Sequence, residues 1–551
     1  MSDDLFDFDA DVLVVGTGGA GFSAAVTAAL EGASVVMFER NDHTGGTTGA
    51  SAGTVWIPNN PSLRAQGKED LRDDALRYMC RMAYPQWYYP DHPTMGLPAD
   101  AFELIATFYD RGSEAIERLD EADVLHLVSD VRTPDPDNLI QVYSGHWLAG
   151  FPDYGGDDVG NKCQNGRHLF PMPPGPGVLA QFEAAATRLG VGIVLEHQVT
   201  SVLRNHDGEV AGLQLRRGRQ PVLARARKAV VFASGGYAHN PELITRYLPG
   251  RIYGTCATLG AQGDFIGIGL DVGAALGNMK NAWYKQVPIE AALRTPTPPG
   301  FWQPWGDAMV QVNKYGRRVV NEKMVYHDRS QAHFVYDPTK REYPNLVLFH
   351  IFDDTVHGSD SLVGLRMPFP DPGDPAEATF IIHGDTWEEL AANVDAQLAE
   401  WGEHIAGTRL DPSFAANLKE TIERFNGFAR TGQDLDFHRG EAQLDWSWTG
   451  PVRPGSPNIT MAPFADEGPY HCVVVGAALL DTNGGPVINT RAQVVDPRGE
   501  PIPGLYGAGN CVASPAGQAY WGPGATIGLG ITYGYLAGLS AAGEPQKRFE
   551  V

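Results

Sequence analysis

The sequence has few cysteines, no excess of positive charge and no long apolar run. Its 551 residues contain five cysteines, widely spaced and without a CxxC pair, so neither a disulfide scaffold nor a metal site is expected. Lys and Arg number 42 against 66 Asp and Glu, a formal net charge of −24, which argues against nucleic acid as a partner. No run of 18 apolar residues indicates a transmembrane helix, and the acidic start MSDDLFDFDA is unlike a signal peptide. We therefore expect a cytoplasmic protein with reduced thiols.

What the chain does contain is ordinary globular composition with an excess of glycine. Hydrophobic residues make up 43% and charged residues 20%, and the length predicts three to four domains at roughly 150 residues each. The 65 glycines are about 12% of the chain against a usual ~7%. They cluster in a few loops, which favours turns where the backbone approaches a ligand closely.

The first glycine cluster follows a short apolar run at residues 10–15. Gly16, Gly18 and Gly21 come next, then an Ala-rich segment and a second apolar run that ends at Glu39. Strand, glycine turn, helix and strand in this order predict a dinucleotide-binding unit. Gly16 would allow the tight turn, Gly18 the approach of a pyrophosphate and Gly21 close helix packing, while Glu39 would bind ribose hydroxyls. A βαβ unit without a ligand is the alternative.

Three further segments indicate which dinucleotide binds. Residues 41–53, dense in glycine and hydroxyl side chains, resemble the segment by which flavoproteins of the fumarate reductase type wrap FAD. Residues 229–236 resemble the "ATGG" strand of these flavoproteins, and residues 502–510 resemble their "GLYAAGE" signature, with Asn510 in place of the acid. Residues 524–528 open an apparent helix whose N-terminus is expected to face the flavin pyrimidine. The resemblance implies FAD, bound non-covalently.

The resemblance also implies which residues bind FAD and how the domains are arranged. The expected FAD-binding residues are Gly16, Gly18, Gly19, Ala20, Gly21, Glu39, Arg40, Gly45, Gly46, Thr47, Thr48, Ala50, Ser51, Ala52, Gly53, Val199, Ala233, Ser234, Gly235, Gly509, Asn510, Ala525, Thr526 and Ile527. FAD segments near both ends predict an α/β chain. A discontinuous Rossmann-like FAD-binding domain, residues 1–279 and 451–551, would hold an inserted α+β substrate or cap domain at residues 280–450.

The segment from Tyr520 to Gly524 carries a more specific resemblance. Its sequence YWGPG is similar to the Tyr-x-Gly-Pro-Gly turn of the 3-ketosteroid Δ1-dehydrogenases, which the chain resembles over nearly its whole length. In that family the Tyr hydroxyl and the last Gly N–H hold the ketone oxygen. Pro523 has no N–H, so the Gly524 N–H is the first free donor before the following helix, and the two donors would form an oxyanion hole. A glycine turn that only supports FAD is the alternative.

Residues 316–326 are similar to the "GRRFVNE" strand and turn of the same superfamily. Fumarate reductases place a catalytic Arg shortly after the Asn-Glu pair, whereas this chain has Tyr326, which the resemblance implies is the base for the proton α to the ketone. A free phenol has a pKa near ~10, so the base would need a polarised ketone and a neighbouring donor. The resemblance assigns the donor role to Tyr154, in the segment FPDY. A buried structural role for Tyr326, a rival role for His327 or Arg329 and a structural role for Tyr154 stay open.

Two absences and a group of aromatic residues bear on the substrate. Residues 480–485 lack the His of the His-Thr-Met-Gly-Gly segment of fumarate reductases, and the turn at 513–520 lacks their Arg, so a dicarboxylate substrate is disfavoured.

An apolar ring pocket is expected from aromatic side chains, foremost Phe151, Trp302 and Trp521, with Trp147, Trp283 and Trp305 as further candidates. Trp521 stands where the family commonly has a small residue, so a smaller cyclic ketone such as a cyclohexanone is an alternative to a steroid.

The resemblance therefore implies an FAD-dependent enzyme that introduces a C=C bond α,β to a ring ketone. Tyr520 and Gly524 would polarise the carbonyl, Tyr326 with Tyr154 would take the α proton, and the β hydrogen would leave as hydride to flavin N5. A Δ4-dehydrogenase, an enoate reductase, an electron-carrying subunit of a membrane complex and a non-catalytic FAD module are the alternatives. An external electron acceptor is required, with a quinone as one candidate, and the sequence assigns no oligomeric state.

Overall fold

The structure is a computed structural model that describes residues 6–51, 53–67, 69–128, 167–171, 177–298, 304, 306–354, 380–442, 445 and 453–547. In chain order, its strands are β1 (Phe8–Val15), β2 (Val35–Phe38), β3 (Val55–Trp56), β4 (Leu127–Val128), β5 (His168–Pro171), β6 (Gly192–Val194), β7 (Gln198–Arg204), β8 (Val210–Arg217), β9 (Gln220–Phe232), β10 (Leu276–Gly277), β11 (Ala282–Pro288), β12 (Met309–Val312), β13 (Val347–Asp353), β14 (Ile382–Gly384), β15 (Tyr470–Thr482), β16 (Gly485–Pro486), β17 (Gln493–Val495) and β18 (Pro501–Gly507).

Its α-helices, also in chain order, are α1 (Gly19–Leu30), α2 (Gly46–Gly49), α3 (Pro61–Ala65), α4 (Arg72–Ala83), α5 (Ala99–Glu121), α6 (Val178–Arg188), α7 (Pro241–Tyr247), α8 (Asp264–Asp271), α9 (Ile289–Arg294), α10 (Tyr326–Ser330), α11 (Trp387–Trp401), α12 (Phe414–Thr431) and α13 (Ala525–Ala542). Short 3-10 helices occur at Gln331–Phe334, Gly402–Ile405 and Gly509–Cys511. Helices and strands share one chain, which confirms the predicted α/β class. Within the described ranges, none of the helices combines the length and apolarity that a bilayer span requires.

The chain divides into two compact units. The first comprises Met1–Leu248, Ala257–Trp283 and Asp481–Val551, and the second comprises Pro249–Cys256 and Tyr284–Leu480. The longer segment of the second unit begins at Tyr284, close to the expected position 280, but it continues well past the expected end at residue 450. The reason is β15, whose residues 470–476 pair antiparallel with β13 and whose residues 470–472 also pair with β14. The chain therefore returns to the first unit at residue 481 and not at 451.

The first unit is built on a sheet in the order β17-β18-β9-β1-β2-β6, with β8 paired to β9 and β7 to β8. The pairs β18–β9, β9–β1, β1–β2 and β2–β6 are parallel. Register places Val15 beside both Phe38 and Phe232, and Phe232 beside Gly507. The carboxyl ends of four strands thus meet at one edge, where ligands bind in open parallel sheets.

Helices α1 and α13 pack against each other beside this sheet. Both are apolar over most of their length, and nearly all of α13 is buried. A Cβ atom at Gly534 would lie only 2.4 Å from the Ala20 carbonyl oxygen. The small residues of α13 therefore let its backbone approach α1 closely.

The second unit has a sheet in the order β11-β15-β13-β12, with β14 also paired to β15. Alternate residues of β13 face two cores: Val347, Phe349 and Ile351 join the core that includes side chains of α11 and α12, and Leu348 and Phe352 join the other. Because strand side chains alternate between faces, the buried pattern along all of β13 reflects a sheet that is covered on both sides.

Candidate active site

A cavity with about 1140 Å³ of empty space, its open mouth included, lies at the carboxyl edge of the parallel strands of the first unit. Its lining comes from the turns that follow β1, β2, β9 and β18 and from the first turn of α13. A cavity of this size at this edge is the expected binding place for a dinucleotide.

The glycine turn after β1 forms one wall of the cavity. Gly16 has φ +100°, and a Cβ there would lie 2.4 Å from the Ala233 carbonyl oxygen, so only glycine fits. A Cβ at Gly21 would lie 2.1 Å from the Gly16 oxygen, which agrees with the close packing expected of it. At Gly18, by contrast, a Cβ would meet no protein atom closer than 3.8 Å. The space beside Gly18 belongs to the cavity, as a pyrophosphate that approaches the backbone requires.

Glu39 follows β2 directly and is held in place by three hydrogen bonds. Its carboxylate accepts from Thr17 Oγ1 at 2.7 Å, from Thr17 N at 3.2 Å and from Asn41 N at 3.0 Å. The side chain lines the cavity and is 6% exposed. A fixed carboxylate at this position suits the recognition of ribose hydroxyls. Arg40 also lines the cavity, and its Nη1 donates to Asp264 Oδ2 at 2.9 Å.

Most of the expected FAD-binding residues line this cavity: Gly16, Gly18, Gly19, Ala20, Glu39, Arg40, Gly46, Thr47, Thr48, Ser51, Val199, Ala233, Ser234, Gly235, Gly509, Asn510, Thr526 and Ile527. The structure does not place Gly21, Gly45, Ala50, Gly53 and Ala525 among the lining residues, and Ala52 lies outside the described residues. Gly21 and Gly45 instead pack against protein, since a Cβ at Gly45 would lie 2.5 Å from the Leu179 side chain.

The sequence-based list missed several lining residues, among them Thr17, His197, Thr258, Asp264 and Asp481. Thr17 lies inside the GxGxxG motif, so it could have been included. The others follow strands or turns that carry no glycine signature. Asp481 lies in the segment 480–485. From the sequence, that segment is used only to disfavour a dicarboxylate substrate, because it lacks a His.

The turn before α13 leads into one wall of the cavity. Gly524 has φ +92°, and a Cβ there would lie 2.6 Å from the Thr54 oxygen. Thr526 and Ile527, in the first turn of the helix, line the cavity, so the positive end of the helix dipole faces it. Gly524 itself is not among the lining residues. Within the described part of the chain, the Gly524 N–H makes no hydrogen bond.

Tyr520 and Trp521 are both buried beside this turn. The Trp521 indole is 0% exposed, its Nε1 donates to the Met79 carbonyl at 3.1 Å, and its ring stacks on Phe108 with centroids 5.5 Å apart. Trp56 also contacts the indole, at a centroid distance of 6.0 Å. The Trp521 side chain is therefore fixed in an aromatic cluster with Phe108 and Trp56.

In the second unit, Tyr326 is the first residue of α10 and is 4% exposed. The loop before it is held by buried charges of the motif itself. Arg318 donates to Glu322 and to Asp434, each at 2.8 Å, and Arg439 donates to Glu322 at 3.2 Å. Burial opposes ionisation of Glu322, but Arg318 and Arg439 outweigh it and keep the pKa of Glu322 below its ordinary value. The GRRVVNE residues thus form a rigid support for Tyr326.

The two rivals of Tyr326 are occupied by structural hydrogen bonds. His327 is 1% exposed, and its Nδ1 accepts from the Tyr284 backbone N–H at 3.1 Å. Arg329 is 0% exposed and donates to Gln286 Oε1 at 2.8 Å and to the carbonyls of Glu322 and Met324. Burial lowers the pKa of Arg329 to about 9. Both side chains therefore help to shape the turn that carries Tyr326.

Asp328, two residues after Tyr326, is a further titratable group that sequence reasoning missed. Its side chain is half-buried, and burial raises its pKa to about 7. Within the described residues Asp328 has no ion-pair partner.

The remaining predicted residues, Tyr154, Phe151 and Trp302, lie outside the described residues, as do Trp147 and Trp305. Trp283 is buried, and its Nε1 donates to the Ala519 carbonyl at 3.1 Å.

Comparisons with known proteins agree with this geometry. The profile of the FAD binding domain family matches residues 11–527. A 3-oxosteroid 1-dehydrogenase from Mycolicibacterium smegmatis is 30% identical, with 97% of each chain covered. A 4-oxocyclohexanecarboxylate 2-dehydrogenase from Sinomonas cyclohexanicum is 28% identical over 97% of this chain and 93% of the relative. The solved 3-ketosteroid Δ1-dehydrogenase from Sterolibacterium denitrificans has a TM-score of 0.77 at 23% identity, over 97% of this chain and 99% of that one, a likeness of fold.

The residues of the cavity fit FAD. Gly18 leaves room where a pyrophosphate would approach, and Glu39 offers a carboxylate just after β2. Thr526 and Ile527 bring the first turn of α13, the positive end of its dipole, to the cavity wall. Among the residues that the structure describes, no group of His, Cys, Asp and Glu side chains is arranged to hold a metal ion. The chain therefore belongs to the FAD binding domain family and is an FAD-dependent oxidoreductase related to the 3-oxosteroid 1-dehydrogenases.

Proposed function

We propose that this protein introduces a C=C bond α,β to a ring ketone, in the manner of a 3-ketosteroid Δ1-dehydrogenase. The observation that carries the proposal is the Gly524 N–H. It follows a proline that cannot donate, it stands at the start of α13, and it makes no hydrogen bond within the described residues. Tyr520 lies four residues earlier in the same turn. A ketone oxygen that accepts from both groups would be polarised as negative charge develops on it.

Tyr326 takes the α proton in this proposal. Polarisation of the carbonyl acidifies the α C–H bond, and the phenol is buried on a turn fixed by the Arg318–Glu322–Arg439 cluster. Tyr154, outside the described residues, is proposed as the second phenol that receives or shares the proton. The chemistry that bound FAD would supply is acceptance of the β hydrogen as a hydride.

The hydrogen bonds of the neighbouring residues support Tyr326 over its rivals. His327 Nδ1 already accepts a backbone N–H, and the Arg329 guanidinium donates to three acceptors of the surrounding backbone and side chains. A base has to exchange its proton with the substrate, and a side chain whose bonds hold a turn together is poorly suited to that.

The ring system of the substrate has two candidates. A 3-ketosteroid is supported by the 30% identity to a 3-oxosteroid 1-dehydrogenase over 97% of this chain. A smaller cyclic ketone is the second candidate, because Trp521 stands where the 3-ketosteroid Δ1-dehydrogenases commonly have a small residue. Its indole donates to the Met79 carbonyl and stacks on Phe108. The relative from Sinomonas cyclohexanicum, whose name gives a 4-oxocyclohexanecarboxylate as its substrate, supports the second candidate.

Anaerobic mixing of the purified holoenzyme with each ketone tests the proposal. The yellow flavin absorbance should bleach with androst-4-ene-3,17-dione, with 4-oxocyclohexanecarboxylate, or with both, and product analysis should place the new C=C bond next to the ketone. Androst-4-ene-3,17-dione already has its C4–C5 double bond, so bleaching by this steroid would place the new bond at C1–C2. Bleaching by the saturated 5α-androstane-3,17-dione but not by androst-4-ene-3,17-dione, with a C4–C5 double bond in the product, would replace the Δ1 assignment by Δ4. If neither ketone bleaches the flavin, but dithionite-reduced enzyme is reoxidised by an enone, the enzyme is a reductase and the proposed direction is wrong.

A further inference from the structure

Asp481 brings a buried carboxyl to the FAD cavity from the end of β15. Its Oδ2 accepts from Asn510 Nδ2 at 2.8 Å and from the Gly236 backbone N–H at 3.3 Å, and its Oδ1 accepts from the Thr482 backbone N–H at 2.8 Å. Asp481 and Asn510 both line the cavity, and Asp481 is 2% exposed. Three separate chain segments, those after β9, β15 and β18, therefore converge on one carboxyl.

This position of a carboxyl matters because the FAD signature of the chain lacks its acid. The segment after β18 ends in Asn510, where the resembled signature ends in an acidic residue. The sequence alone shows only that Asn510 replaces the acidic residue of this signature. The structure instead shows a carboxyl within hydrogen-bond distance of the substituting amide, supplied by a different strand.

The surrounding backbone is shaped to admit this side chain. A Cβ at Gly236 would lie 2.4 Å from Asp481 Oδ1 and 2.2 Å from Thr482 Oγ1, so the second glycine of the Gly-Gly pair makes room for both. Thr482 Oγ1 in turn accepts from the Tyr237 backbone N–H at 2.7 Å. The pair Gly235-Gly236 and the pair Asp481-Thr482 thus form one interlocking unit.

Burial of the Asp481 carboxylate also lowers the stability of the folded protein when the cavity holds no ligand. Within the described residues, no Lys or Arg forms an ion pair with Asp481. His239, whose charge when present would favour the carboxylate, and the Tyr237 phenol are the titratable groups that interact with it. Burial raises the pKa of Asp481 to about 6, although Asn510 and two backbone N–H groups counteract it. A buried carboxylate without a cation is unfavourable, which indicates a role toward the ligand of the cavity.

We propose that Asp481 is an FAD-binding residue, which supplies from β15 the carboxylate acceptor that the signature after β18 lacks. Its hydrogen bond fixes the Asn510 amide nitrogen toward β15, and its remaining lone pairs accept from a hydroxyl of the cofactor. The inference concerns the cofactor alone and is independent of the ketone substrate.

FAD titrations of the apoprotein at pH 8 test this inference. Asp481→Asn should weaken FAD binding about tenfold to hundredfold, since hydrogen bonds to charged groups are the stronger ones. The double variant Asp481→Asn with Asn510→Asp moves the acid to the other partner, so it should recover most of the affinity. Asp207→Asn, at an exposed acid of the same unit, is the matched control for the change in net charge and should bind FAD as the parent chain does.

The stability of the apoprotein separates this role from a structural one. Removal of an unpaired buried charge should leave the melting temperature of the Asp481→Asn apoprotein unchanged or higher at pH 8, while FAD binding weakens. A lower melting temperature together with unchanged FAD affinity would overturn the inference. If this variant does not fold, the pH dependence of FAD binding to the parent apoprotein provides the test. The FAD affinity should fall as the pH is lowered from 7 to 5, because the Asp481 carboxylate becomes protonated. An FAD affinity that does not change over this range would reject Asp481 as the acceptor.

Discussion

Arg318 and Glu322 form a fully buried bidentate ion pair four residues apart, with Nε–Oε1 at 2.9 Å and Nη2–Oε2 at 2.8 Å. Both side chains belong to the GRRVVNE motif, and the loop that they hold leads directly into Tyr326. The Arg329 guanidinium donates to the carbonyls of Glu322 and Met324 from the other side of that loop. The motif therefore holds the turn that leads into Tyr326.

Glu322→Gln should destabilise the protein strongly. The variant leaves Arg318 and Arg439 facing an uncharged amide, and loss of one partner of a buried ion pair costs about 3–5 kcal/mol. Thermal unfolding followed by circular dichroism measures the loss. Glu420→Gln is the matched control, because Glu420 pairs with Arg317 on the surface, where such pairs contribute at most about 1 kcal/mol. Equal melting temperatures for the two variants would contradict the role of the buried cluster.

Tyr326→Phe should abolish most of the proposed dehydrogenation. Loss of a positioned base lowers turnover by roughly a hundredfold or more, while the cavity for FAD lies among other residues and stays intact. Steady-state rates and the flavin absorbance of the purified variant report the two properties separately. Tyr343→Phe, at an exposed tyrosine of the same unit, serves as control. Parental turnover in the Tyr326 variant would remove this residue from the mechanism.

Gly524→Ala should impair the turn before α13 in two ways. The residue has φ +92°, a conformation in which a side chain is strained, and the added methyl would press on the Thr54 carbonyl at 2.6 Å. We expect a loss of turnover larger than the loss of FAD affinity, because the N–H that moves is the proposed ketone donor. Gly543→Ala, at the end of the same helix and free of close contacts, provides the comparison. Unchanged kcat would show that Gly524 does not bind the ketone.

The parts of the site that the sequence predicted well are those set by short spacing. Gly16, Gly21 and Glu39 belong to one βαβ unit, and their roles follow from the order of strand, turn and helix. The start of α13 is equally local, since Pro523 and Gly524 set it.

The parts that the sequence did not predict depend on pairing over long distances. Residues 470–480 extend the second unit because β15 pairs with β13, a partner more than a hundred residues away. Asp481 enters the cavity only through that strand, and its contact with Asn510 spans two strand ends. The bonds that occupy His327 and Arg329 come from Tyr284 and Gln286, which no motif connects to them. Such relationships are properties of the packed chain, so spacing rules do not reveal them.

Asp328→Asn should stabilise the protein at high pH. Burial raises the pKa of the folded carboxyl to about 7 from an ordinary 3.8, so the folded state holds a proton that the unfolded chain releases. The parent chain consequently loses stability as the pH rises from about 4 to about 7, whereas the amide carries no charge at any pH in this range. The variant should gain at least about 1.4 kcal/mol at pH 8, the equivalent of one pKa unit, and nothing at pH 4. Denaturant unfolding of both proteins at the two pH values measures the difference. Asp466→Asn, at an exposed acid of the same unit, is the control. An equal gain of the Asp328 variant at both pH values would show that the Asp328 carboxyl does not titrate as its surroundings require.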